Sequence, residues 1–138
     1  MRLLWVALVI LLASACSPSD QRPPVETFGF YPPKGLSDDT TFLQTQEVAK
    51  SIGFVALEKM HGITDDSTAM RFKTNKGASL LITHDPSSQC FQASFQTPAL
   101  SQTQSQDRFD TLKAAGKMRK ALQGKSWAIG AEGCPVGP

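Results

Sequence analysis

His84 and Asp85 stand together, with Ser87 and Ser88 close behind them. These are the residue types of acid–base catalysis, nucleophile activation or metal ligation, and they fall at the end of a predicted strand where a loop can present them. The only other histidine is His61, so the two imidazoles one helical turn apart that a His-Glu-x-x-His zinc site requires are missing. No Gly-x-Ser-x-Gly segment supplies a nucleophile elbow. Gly124-Lys125-Ser126 has the ending of a phosphate loop, but Arg119 occupies the place of the earlier glycine and no strand precedes it. Asp38-Asp39 and Asp65-Asp66 lack the spacing of a calcium loop and read as capping and turn residues. No metal or cofactor is expected. His84 is expected to be a solvated turn residue and His61 to terminate a helix; a hydrolase with a dispersed site around His84 and Asp85 stays as one alternative function.

The three cysteines carry different chemistry. Cys16 closes a leader in which Arg2 supplies a positive start, residues 3–12 an unbroken apolar run, and Ala13-Ser14-Ala15 a small-residue cleavage site. Ten apolar residues span about 15 Å as a helix, half a bilayer's hydrocarbon core, so this run is a cleaved export signal and not a permanent span. With Cys16 directly after the cleavage site, the segment resembles the signal peptides of bacterial lipoproteins. The resemblance implies a mature chain that begins at a diacylated Cys16, and Ser17 behind it implies the periplasmic face of the outer membrane. Cleavage at the same bond without acylation would give a soluble periplasmic or secreted protein. In an oxidising compartment the remaining pair, Cys90 and Cys134, is expected to form a disulfide.

The 138 residues divide into a signal (1–15), a tether (16–24) and one domain (25–138). Ser17 to Pro24 has no apolar periodicity and three prolines, the marks of a tether. Basic and acidic side chains nearly balance at 14 against 12, so global charge selects no polyanion, and export disfavours nucleic acid. Charge is asymmetric only near the end of the chain. Lys113, Lys117 and Lys120 fall at i, i+4 and i+7, flanked by Arg119 and Lys125, as a stripe able to meet anionic phospholipid, an envelope polymer or an acidic partner.

These residues must be positioned by a small set of elements. Apolar residues at threes and fours from Phe42 to Met60 predict a helix over about 40–60, weakened at Gly53. Alternating segments over 69–74, 78–83 and 90–97, separated by Asn75-Lys76-Gly77 and Asp85-Pro86-Ser87-Ser88, predict an antiparallel three-stranded meander. A second helix over about 105–122 places Phe109, Leu112, Ala115, Met118 and Leu122 on one side and stops at Gly124. Val25 to Tyr31 reads as an edge strand or docked arm, and Trp127 as a packed residue of the tail. The order α-β-β-β-α with a C-terminal tail argues an α+β two-layer domain. Phe91, Phe95 and Trp127 could line a ligand pocket between sheet and helices, which makes a periplasmic small-ligand carrier or sensor the other alternative. The leading expectation is a non-enzymatic protein-binding module of the cell envelope, in one form an immunity or inhibitor protein that caps a toxin or an envelope hydrolase.

Overall fold

In the computed structural model the described residues are 23–61, 68–84, 88–98, 104–130 and 133–134, with the side chains of 58–61 left aside. They form six strands and two helices: β1 (Glu26–Tyr31), α1 (Asp38–Ser51), β2 (Val55–His61), β3 (Thr68–Lys73), β4 (Ser79–His84), β5 (Phe91–Gln96), α2 (Gln104–Gly124) and β6 (Ala128–Gly130). The strands make one antiparallel sheet in the order β2-β3-β4-β5-β1-β6. The α+β class holds, and the predicted meander is its middle, β3-β4-β5. Gly77 turns the first hairpin at φ +89°, held by Gly77 N–H donating to the Thr74 carbonyl at 3.0 Å.

The first predicted helix is too long. α1 starts as its residues direct, with the Ser37 hydroxyl accepting from Thr40 N–H at 3.2 Å and Asp38 and Asp39 in the first turn. It stops at Ser51 because Gly53 takes a left-handed conformation, φ +95°. Gly53 N–H then donates to the Lys50 carbonyl at 3.1 Å and Phe54 N–H to the Ala49 carbonyl at 2.9 Å. This double closure is a Schellman stop, and buried Ala49 and Phe54 supply its apolar contact. Residues 55–61 continue as a strand, so His61 ends β2 and terminates no helix.

β1 is not an edge. It lies between β5 and β6, pairing Glu26 with Phe95 and Gly29 with Gly130. Phe28 and Phe30 are fully buried, which explains why the segment is too apolar for a rim. Phe28 and Phe30 share a face with Phe91, Ala93 and Phe95, and both helices pack there: Phe42 of α1 meets Phe91 edge-on, and Arg119 of α2 lies over Phe28. The buried line of α2 is Thr111, Ala115, Met118 and Leu122. Phe109 is instead 61% exposed. The core threonines are satisfied locally, since Thr45 Oγ1 donates to the Thr41 carbonyl and Thr111 Oγ1 to the Asp107 carbonyl, each at 2.7 Å.

The opposite sheet face carries polar pairs such as Thr27–Ser94 and Ser79–Gln96. It is crossed near β1 and β5 by Gly133 and Cys134, the latter joined to Cys90 in the expected disulfide with Cα atoms 5.6 Å apart.

Candidate functional site

His84, the best sequence candidate for chemistry, is not a solvated turn residue. It is 6% exposed, because the last residue of β4 points to the helix-covered face, where its ring stacks on Phe91 at 4.0 Å with 9° between planes. Nε2 lies 2.9 Å from the Ser88 main-chain carbonyl. A carbonyl only accepts, so Nε2 carries the proton. Nδ1 faces the Asp38 carboxylate at 3.6 Å. Aspartate, histidine and serine therefore meet, but the imidazole addresses the serine backbone, while Ser88 Oγ accepts from Cys90 N–H at 3.3 Å. This geometry is that of a positioning residue: the imidazole holds the main chain at Ser88 and stands between the β4–β5 corner and the start of α1. A cavity of about 340 Å³ lies beside it, lined by Lys34, Asp38, His84 and Gln89 among others. Asp85 and Ser87 lie outside the described residues, as do Asp65-Asp66 and Cys16.

The proposed pocket aromatics are packed on other rings. Phe91 touches Phe30 and Phe42 as well as His84, Phe95 touches Phe28 and Phe54, and Trp127 stacks on Phe30 with centroids 5.7 Å apart. Phe95 is fully buried, and Phe91 and Trp127 nearly so.

The lysines divide by position. Lys113, Lys117 and Lys120 are all exposed on α2. Lys113 and Lys117 also border a cleft of about 390 Å³, opposite Lys76 of the β3–β4 turn and near Asp107 and Asp110. Arg119 leaves the stripe: its guanidinium donates to the Glu26 carboxylate and sits 4.9 Å from the Phe28 ring centre. Its Nε is buried without a hydrogen-bond partner among the described residues. Among those residues no group of three or more His, Cys, Asp or Glu is placed to hold a metal ion, and no helix is long and apolar enough to cross a membrane.

One site escapes the sequence reading. Leu43 on α1 and Leu57 on β2 are 62% and 56% exposed, and they face each other across a groove of about 640 Å³ floored by Phe42, Ala56 and Met70 and rimmed by Asp39 and Gln46. Val55, at the start of β2, is 64% exposed. β2 is an outer strand of the sheet, and a bulge between Ala56 and Glu58 twists its rim. The detectable signal was Leu43 itself. On the helical wheel it sits 100° from Phe42, off the buried line of Phe42, Thr45, Val48 and Ala49. Comparison with protein-family models, with curated proteins and with solved structures finds no match for this chain.

Proposed function

We propose that this chain is an exported, lipid-anchored cell-envelope protein that acts as a non-enzymatic protein-binding module, in one form an immunity or inhibitor protein for a toxin or envelope hydrolase. The observation that carries the binding role is the groove between α1 and β2, where Leu43 and Leu57 expose more than half of their surface on a molecule whose other large apolar residues are mostly buried. Contiguous apolar surface with a polar rim marks an interaction site. Its occupant is a segment of a partner protein that inserts one or two apolar side chains between the leucines and hydrogen-bonds outward to the rim. Support for the export and anchor comes from residues 1–16, whose order of charge, apolar run, small residues and cysteine suits a lipoprotein leader.

The test is photo-crosslinking in the native cell from probes at positions 43 and 57, with position 50 on the exposed side of α1 as the control. One partner crosslinked near-stoichiometrically from the groove alone, whose purified form binds at least about tenfold more weakly to Leu43→Asp, is the expected result. Equal crosslinking at all three positions, or unchanged affinity in Leu43→Asp, would overturn the groove as the binding surface.

A further inference from the structure

We infer that the outer stripe of α2 rests on an anionic phospholipid surface, with Phe109 set into the headgroup boundary and Lys113, Lys117 and Lys120 against the phosphates. The inference rests on the lipid-anchor reading for its orientation and on observed geometry for its chemistry. Phe109, Lys113, Lys117 and Lys120 fall at i, i+4, i+8 and i+11, which is one face of a helix, and all four are exposed. A large ring at 61% exposure in line with three ammonium groups is the pattern of a helix lying in an interface plane. The two acids of α2, Asp107 and Asp110, line the same cleft as Lys113 and Lys117, and Gln106 Nε2 donates to Asp110 at 2.9 Å. Arg119, turned to Glu26, takes no part.

The attachment point agrees with this orientation. Pro23 and Val25 share a small cavity with Pro98, Gln104 and Arg108, so the chain enters the domain beside the first turns of α2, next to Phe109. Residues 17–22 separate Cys16 from Pro23 and can reach at most about 25 Å when extended. A domain of this size is roughly 35 Å across, so a tether that short keeps the entry side, and α2 with it, toward the membrane.

The experiment uses the chain from residue 16 carrying Cys16→Ser, so that no acyl chain contributes, with vesicles of phosphatidylglycerol and phosphatidylcholine or of phosphatidylcholine alone. The protein is expected to sediment with the anionic vesicles only. Tryptophan emission of a Phe109→Trp variant should shift to the blue on binding. Each lysine near an anionic surface is worth about fivefold in affinity, so K113E/K117E/K120E should bind about a hundredfold more weakly with an unchanged circular dichroism spectrum. Equal partition into both vesicle types, or a triple variant that keeps its affinity, would overturn the inference. Lipidation is read separately, from the intact mass of the Cys16 protein purified from membranes, so failure of the anchor and failure of the helix face are distinguishable.

Discussion

At Gly29 the main chain leaves no room for a side chain. A Cβ there would stand 2.7 Å from the Gly133 carbonyl carbon and oxygen and 2.9 Å from Cys90 Sγ, and two of those three atoms are backbone, which cannot swing aside. Gly29→Ala should therefore cost about 2 kcal/mol by forcing the tail off the sheet, measurable as a lower urea midpoint with an unchanged slope. Ser126 is the opposite case. It is the only non-glycine among the described residues with a positive φ, at 65°, and it holds the left-handed position of a second Schellman stop, in which Ser126 N–H donates to the Gln123 carbonyl and Trp127 N–H to that of Leu122. The sequence reading stopped the helix at Gly124, which is its last residue, but did not find the left-handed residue at Ser126. Ser126→Gly is expected to stabilise the domain by about 1 kcal/mol in the same denaturation experiment, since glycine adopts this conformation without the Cβ clash.

Between elements, Arg119 adds to the buried line of α2 a polar tie to the sheet, through Glu26 and Phe28. Arg119→Ala should lower stability by roughly 2 kcal/mol, because it removes the cation from the Phe28 ring and leaves a mostly buried carboxylate without its donor; thermal denaturation followed at 222 nm would check it. Nothing local in the sequence could reveal that pairing, since Glu26 and Arg119 belong to opposite ends of the domain. Legibility followed the range of the interaction. The hairpin at Gly77, the α2 span and the Cys90–Cys134 pair were readable because period, turn residues and cysteine parity are local or combinatorial signals. The end of α1 was not, because Val55, Ala56 and Met60 continue a helical spacing across Gly53 and only the cap geometry breaks it. β1 was misplaced to the rim because its partners are β5 and β6, and three-residue β6 is too short to announce itself. At the candidate sites, residue type showed that His84 and the lysines were notable. Burial, which depends on neighbours distant in sequence, decided that the first orients elements and that Leu43 and Leu57 face outward.

For the molecule as a whole, the disulfide bridges a sequence separation of 44 residues and clamps the C-terminal tail across β1 and β5. In the chain-entropy account such a loop contributes roughly 4 kcal/mol. A Cys90→Ser/Cys134→Ser variant, or the reduced protein, should therefore melt on the order of 15 °C lower in calorimetry; a midpoint indifferent to reductant would show that the bridge adds nothing to stability. The strand order has a consequence of another kind. β1 is made first, yet Glu26 waits for Phe95 and Gly29 for Gly130 before its hydrogen bonds close. Contacts of such long sequence separation form late and slowly. A chain emerging from the ribosome thus carries Phe28 and Phe30 bare until Phe91 and Phe95 of β5 have followed, and it stays threadable for that whole interval. For the exported protein proposed above this order is an advantage, since β1 cannot lock until β5 and β6 have followed it.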